Sequence, residues 1–383
     1  MDSDVVVVGG GIGGLGCALA LRRAGLRVRV LEQDSQFGEV GAGLQVAPNA
    51  TRILRSWGLL DDVVARGVRP RRLVLRDALD GAELTHLDAA DLARRYGAPY
   101  ILIHRGDLHS ILLGACRDTG VELCTSVQVT GVEQEPARAV AISSDRRDAA
   151  SVVLAADGLG SGLRSLLNTD HLVSSGYVAY RGTVPVAELT ETDGVTLDEM
   201  VIYIGPDCHL VQYPLRGGEL LNQAAVFRSP KALAGEIEWG TPDELDAAFR
   251  HTCDAVRAGL PRLWRNRWWR MYDREPIGTW VDRRLALVGD AAHPMLQYLA
   301  QGACQALEDA DCLAGALGST TDLDAALRTY DELRTVRTAR VQRTARDWGK
   351  LWHCDGVSRA ARNALLTDRT ATDYRYIDWL YSA

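Results

Sequence analysis

Residues 284–312, RLALVGDAAHPMLQYLAQGACQALEDADC, hold a short apolar run at 285–288 that ends in Gly289-Asp290 and leads, after a loop, into a helix-compatible stretch opening at Gly302-Ala303. A strand that ends in an acid and then feeds a glycine-led helix puts a carboxylate beside a helix N-terminus. The unpaired N–H groups and partial positive charge there suit an anionic or electron-rich ligand. This stretch decides the fold because two more strand ends of the same kind lie far upstream.

The first follows 5–8, an apolar β-branched run. After it GGGIGG sets Gly9, Gly11 and Gly14 at G-x-G-x-x-G spacing, ahead of a helix-compatible stretch that Gly25 stops. The first glycine makes the tight turn, the second lets backbone approach a pyrophosphate, and the third lets helix and strand pack closely. Residues 27–31 read as the next strand, closed by Glu32, where a carboxylate bonds a ribose hydroxyl. Strand, loop, helix, strand and acid in that order predict a dinucleotide site. The other strand end is 152–155, which runs into ADGLGSGLRS and Asp157-Gly158. Carboxyl ends of parallel strands share one sheet edge, so Glu32, Asp157 and Asp290 are expected to converge. A nicotinamide dinucleotide needs only the first of these ends. FAD, with its distant ring system, needs all three, and FAD is the cofactor the sequence predicts.

The chain of 383 residues leaves room for two domains or one domain with a large insertion. A formal net charge of −7 argues against a nucleic-acid partner, which requires a concentrated basic surface. No run approaches the roughly 18 apolar residues of a membrane span. The eight cysteines show no C-x-x-C or C-x-x-H spacing, so no metal site is expected. No signal peptide precedes MDSDVVVVGG, so reduced thiols and a cytoplasmic protein are expected. Arg69, Arg71 and Arg72 read as a solvated face, and Trp264, Trp268 and Trp269 as packing.

Along the chain, 41–50 is a small-residue loop into a helix at 49–57. Residues 70–87 read as extended with a turn at Asp80-Gly81, and HRGDL starts a helix with Asp107 as its cap. Strand-like runs at 201–204, 209–214 and 220–227 precede a helix over 241–258. Helices at 302–317 and 323–348 follow the return at 285–288. The fold class is α/β: a Rossmann-like FAD-binding domain (1–70, 98–172 and 275–350), an inserted sheet-rich substrate domain (71–97 and 173–274), and a C-terminal helical tail (351–383).

GGGIGG, HRGDL, ADGLGSGLR and VGDAAHPM, in this order, resemble the single-component FAD-dependent aromatic hydroxylases, the para-hydroxybenzoate hydroxylase fold, over nearly the whole chain. The resemblance implies FAD contacts at Gly9, Gly11, Gly14, Glu32, Arg105, Gly289, Asp290, Pro294, Gly302 and Ala303. It places Asp157 and Arg164 in the motif that serves both FAD and a nicotinamide donor, NADH or NADPH, bound transiently at the surface. Within the family, CHLVQYPLRGGELLNQAAVF (208–227), MYDREPIGTW (271–280) and HPMLQYLAQGAC (293–304) resemble the 3-hydroxybenzoate 6-hydroxylases. That narrower likeness implies His209, Tyr213 and Gln297 in the substrate pocket. It also implies oxygen chemistry through a flavin hydroperoxide, with a small phenolic acid as substrate and 2,5-dihydroxybenzoate (gentisate) as product. Salicylate-type decarboxylating hydroxylation, or hydroxylation of a larger phenol, is the alternative. A homodimer is expected of the fold.

The chemistry asks for a base. A phenol of pKa ~10 is ionised about one part in a thousand at pH 7, so forming the phenolate costs roughly 4 kcal/mol. A histidine within hydrogen-bond reach offsets part of that cost and contributes about 10²–10⁴ in rate. His209 and Tyr213, four apart on a strand, project to one face. Two features depart from the family pattern: Gly160 and Gly162 loosen the ADGLGSGLR loop, and Met295 stands where a second proline is common. No arginine of the insert identifies itself as a clamp for the substrate's carboxylate. His293 reads as a shaper of its loop.

Overall fold

The structure, a computed structural model, describes residues 3–38, 42–189 and 195–382; Gly41, the first residue of the predicted small-residue loop, lies outside them. Strand Ser3–Val8 pairs in parallel with Val28–Leu31 on one side and Arg147–Ala155 on the other. Leu285–Leu287 and Glu122–Cys124 extend the parallel set outward. Val8, Leu31, Ala155 and Leu287 end in register. The residues that follow them, Gly9, Glu32, Asp157 and Gly289-Asp290, therefore emerge along one edge of the sheet.

Helix Ile12–Arg23 leaves that edge and packs on helix Gly302–Ser319. The two come close because Gly13 and Gly16 present no side chain: a Cβ added to Gly13 would lie 3.3 Å from Ala306, and one added to Gly16 would lie 3.2 Å from Leu307. Both faces of the sheet are covered, which is why its central strands read as continuous Val/Leu runs.

The second sheet has seven strands, in the order Trp268–Asp273, Val173–Pro185, Leu220–Arg228, Cys208–Leu215, Glu199–Gly205, Arg72–Asp77 and Glu83–Asp88. It is antiparallel except where Arg72–Asp77 runs parallel to Glu199–Gly205. One face packs Tyr180, Leu210, Phe227, Leu245 and Phe249 into a core of its own. The other face looks toward the first sheet, and the space between them holds the site.

Three local expectations are corrected. The helix read over 241–258 is two, Pro242–Phe249 and Asp254–Gly259. The path breaks where the Thr252 hydroxyl donates back to the Phe249 carbonyl (2.7 Å) and the Cys253 N–H turns to Ala78 (2.8 Å). Asp107 does not cap helix Arg105–Asp118. His104 Nδ1 accepts from the Gly106 N–H at 3.2 Å in that role, and Asp107 pairs with Arg216 at 3.0 Å, joining the two halves of the molecule. The tryptophans split: Trp268 stacks on Tyr180 in the second core, its strand neighbour Trp269 points the opposite way and lines the cavity, and Trp264 joins it there from the loop before the strand.

Beyond helix Leu323–Trp352, helix Gly356–Thr367 packs on strand Glu83–Asp88, and the segment through Tyr381 returns to the body. Buried Asp77 holds the first part of this tail, accepting from Arg359 (2.7 Å) and Asn363 (2.6 Å). Arg52 donates to the Tyr381 carbonyl (2.7 Å) and holds the second. Among the described residues no helix is long and apolar enough to cross a membrane, and all eight cysteines are unpaired.

Candidate active site

A cavity of about 1290 Å³ runs from the glycine loop to the face of the second sheet. Its cofactor end is lined by Gly11, Ile12, Gly13, Arg105, Gly158, Gly289, Asp290, Gly302 and Ala303. Gly9 adopts φ +108, and a Cβ there would lie 2.3 Å from the Ala156 carbonyl oxygen; at Gly14 it would lie 2.0 Å from the Gly9 oxygen. Only glycine fits at either position. Helix Ile12–Arg23 begins at Gly11 and helix Gly302–Ser319 at Gln301, each without a side-chain cap and without an acid in its first turn. Two uncapped helix N-termini thus open into the same cavity, where oriented N–H groups stabilise negative charge. Glu32 bonds the Gly10 N–H at 2.7 Å, which fixes its carboxylate beside the loop. This donor set fits FAD: a phosphate-accepting loop, an acid for the ribose, and a second helix start some distance away for the far end.

Asp157, Arg164 and Pro294 stand apart from this wall. The Asp157 carboxylate accepts from Ser161 Oγ (2.6 Å) and the Leu163 N–H (3.3 Å), closing the turn after its strand. Arg164 is buried, paired with Asp170 at 2.9 Å, and donates to the carbonyls of Ala291 and Ala292. It braces the loop after Asp290 from behind. Pro294 is also buried, and its carbonyl accepts from Gln342 at 2.9 Å; its neighbour Met295 is the one that lines the cavity. His293 behaves as a loop residue, bonded to Asp309 at 2.6 Å inside the protein. Burial pushes the Asp309 carboxyl upward, but His293, Arg334 and the Gly289 N–H outweigh it and hold the group at about 2.

The other end is built from side chains. Register across the second sheet aligns Ala179, Val226 and His209 in one row, Arg181, Ala224 and Val211 in the next, and Thr183, Asn222 and Tyr213 in a third. His209, Val211 and Tyr213 all line the cavity, as their alternation on one strand requires. Val211 and Ala224 make a flat apolar floor, and Gln297 and Tyr298 face it from the loop before helix Gly302–Ser319. The structure brings His209, Tyr213 and Gln297 together.

His209 is buried, and its Nδ1 lies 2.8 Å from His353 Nε2, leaving Nε2 as the nitrogen open to a ligand. Burial, and then His353, push its pKa well below the usual histidine value, so the imidazole is neutral at pH 7. His353 is driven down to about 3 by burial, Arg362 and Arg228. The Tyr213 hydroxyl is pushed up to about 12 by burial, against the pull of Arg181 and Gln45. Its ring sits against Gly43, where a Cβ would lie 2.5 Å away. Reading the sequence missed Arg181, Tyr100 and His353. The first two lie in the cavity wall, and His353 stands behind His209.

The family described as FAD binding domain matches residues 2–346. The chain belongs to the FAD-dependent aromatic hydroxylases. It is 38% identical to 3-hydroxybenzoate 6-hydroxylase of Polaromonas naphthalenivorans (strain CJ2), over 99% of this chain and 96% of that one. Its fold superposes on HpxO of Klebsiella pneumoniae complexed with FAD and uric acid with a TM-score of 0.87, at 27% identity, covering 98% of this chain and 95% of that one. It superposes on a salicylate hydroxylase substrate complex with a TM-score of 0.80, at 26% identity, covering 100% and 96%. The protein is thus a flavoprotein monooxygenase that uses FAD.

Proposed function

We propose that this hydroxylase converts 3-hydroxybenzoate to 2,5-dihydroxybenzoate, taking electrons from NADH. The observation that carries the reading is the placement of a neutral, buried His209, with Tyr213 and Gln297, in the same cavity as Asp290 and the Gly302 helix start. The 38% identity to a 3-hydroxybenzoate 6-hydroxylase over nearly the full length supports it.

When bound, FAD reduced by the nicotinamide supplies the oxygen-activating chemistry. The protein supplies the rest. In the tautomer that donates from Nδ1 to His353, His209 presents a lone pair on Nε2 to the substrate hydroxyl and takes its proton. Burial weakens this imidazole as a base, so it offsets only part of the cost of forming the phenolate. Gln297, Tyr213 and Tyr100 orient the ring over Val211 and Ala224, and the dry walls exclude water.

In this reading residues 1–70, 98–172 and 275–350 form the FAD-binding unit and 71–97 and 173–274 the substrate unit, with 351–383 closing over the cavity. The cofactor contacts are Gly9, Gly11, Gly14, Glu32, Arg105, Gly289, Asp290, Gly302 and Ala303, with Asp157, Arg164 and Pro294 bracing them. The protein works in the cytoplasm as a homodimer, which light scattering on the purified protein tests.

Product analysis is the decisive experiment: FAD-loaded protein with NADH, oxygen and 3-hydroxybenzoate, with hydrogen peroxide quantified in parallel. Near-stoichiometric 2,5-dihydroxybenzoate is expected, and NADH consumption with peroxide as the sole product would refute the substrate. The likeness to a salicylate hydroxylase favours one second reading, decarboxylating hydroxylation, which released carbon dioxide from salicylate would reveal.

A further inference from the structure

The cavity contains a cation, Arg181, that has no counter-ion among the described residues. The fully buried arginines of the described residues each have a carboxylate: Arg164 has Asp170, Arg334 has Glu308 and Asp309, and Arg362 has Asp77. Arg181 differs. It lines the cavity from strand Val173–Pro185, and no carboxylate of the described residues comes within ion-pair distance. Its polar side-chain contact is the Gln297 amide oxygen at 3.3 Å, and its guanidinium lies 5.9 Å from the centre of the Trp269 ring.

Arg181 is half-buried in the cavity wall, and a ligand that fills the cavity strips the remaining water from its charge, which is costly unless that ligand completes the pair. The electrostatics agree: burial depresses the affinity of Arg181 for its own proton, and Arg105 adds to the effect. We propose that Arg181 binds the carboxylate of the substrate, so that the enzyme selects phenolic acids over neutral phenols of the same shape. This rests on the phenolic-acid reading above and supplies the clamp that the sequence did not reveal.

Register gives the clamp its geometry. Arg181 faces Ala224, which faces Val211, while His209 lies two residues from Val211 on the same strand. With strands about 4.8 Å apart and about 3.4 Å per residue along them, the Arg181 and His209 backbones stand about 12 Å from each other across the floor. Two inward-reaching side chains and one benzoic ring fill that span. The acid then lies at Arg181, the ring on Ala224 and Val211, and the hydroxyl at His209 Nε2. Fork-shaped guanidinium donors match a carboxylate through two parallel hydrogen bonds, which fixes ring rotation as well as position.

The test is equilibrium binding to the FAD-loaded enzyme, read from the flavin spectrum, with 3-hydroxybenzoate, its neutral amide 3-hydroxybenzamide, and unsubstituted benzoate. The wild type is expected to prefer the acid to the amide by about 10²-fold, the size of a buried charge pair. Arg181→Met should erase that preference by weakening both acids and sparing the amide, and Arg181→Lys should restore part of it. Equal wild-type affinity for acid and amide overturns the proposal even if Arg181→Met fails to fold, and so does a variant that weakens acid and amide alike. The substrate reading fails separately. Benzoate binding lost in Arg181→Met supports the clamp even if 3-hydroxybenzoate is never hydroxylated, whereas hydroxylation with undiminished affinity in Arg181→Met removes the clamp and leaves the substrate.

Discussion

The two ends of the cavity are made of different material. At the cofactor end the wall is mostly backbone: glycines that tolerate no Cβ, and two helix starts left uncapped, with Arg105 and Asp290 as the charged side chains among them. At the substrate end they come from side chains standing on a sheet whose floor is Val211 and Ala224. Backbone contacts are set by the path of the chain and cannot be exchanged singly. Side chains on a rigid sheet can be replaced one at a time while the sheet stays as it is. The contrast teaches why one cofactor can be kept while substrates change: the invariable chemistry is held by what every residue shares, and the selectable chemistry by what each residue adds.

Substitutions at the two ends should therefore fail in different ways. The largest effect is expected from Gly14→Val, whose Cβ would collide with the Gly9 oxygen. The purified variant should lack flavin absorbance altogether, and normal FAD content would break the comparison. Next comes His209→Ala, which should keep FAD and lower kcat by about 10²–10⁴. Partial recovery at high pH, where more substrate is ionised, is expected, and unchanged turnover would remove His209 from the mechanism. Gly43→Ala should displace the Tyr213 ring, raise KM for the phenolic acid by about tenfold, an overpacking cost of roughly 1–2 kcal/mol, and leave FAD in place. A fall in FAD content instead would mean that the ends are not separable.

The last prediction leaves turnover aside and concerns acid stability. His209 and His353 are held neutral in the folded protein below their ordinary value, so below about pH 6.5 the unfolded chain binds protons that the native one refuses. The stability they contribute is present above pH 6.5 and declines as pH falls toward their folded values, by up to about 1.4 kcal/mol per pH unit for each. Chemical denaturation of His353→Gln between pH 4.5 and 7.5 should show a shallower slope than the wild type. An unchanged slope would mean that His353 is not buried neutral.

This contrast also explains what could be read from the sequence. Backbone sites leave marks in order along the chain: Gly9, Gly14, Glu32 and Asp290 sit at fixed places around strand ends, and all were legible. The resemblance supplied His209, Tyr213 and Gln297. Arg181 stayed hidden because its strand, Val173–Pro185, carries Ser174, Ser175, Gly176 and Gly182, which dilute the strand pattern. Its significance also lies in a missing partner, which no linear pattern records. His353 meets His209 across 144 residues, and the break after Phe249 depends on a bond to Ala78; both are tertiary facts. The motif around Asp157 and Arg164 was visible, but that Arg164 turns inward to Asp170 could be seen only in three dimensions.

Helix Leu323–Trp352 joins the two ends. Arg334 reaches Asp309 behind the cofactor loop, Gln342 holds the Pro294 carbonyl, Gly349 leaves bare backbone for the Tyr298 ring, and the chain then delivers His353 to His209. Its 30 residues span about 45 Å, and each contact sits at a fixed phase around its axis. The helix thus works as a ruler. Deleting one residue between Arg334 and Gly349 would rotate everything beyond by about 100°, carrying His353 off His209 while the cofactor loop kept its brace. Distance and phase along this single rod tie the His209 end of the cavity to the Gly302 end, and relatives that lengthen the chain are expected to do so outside it.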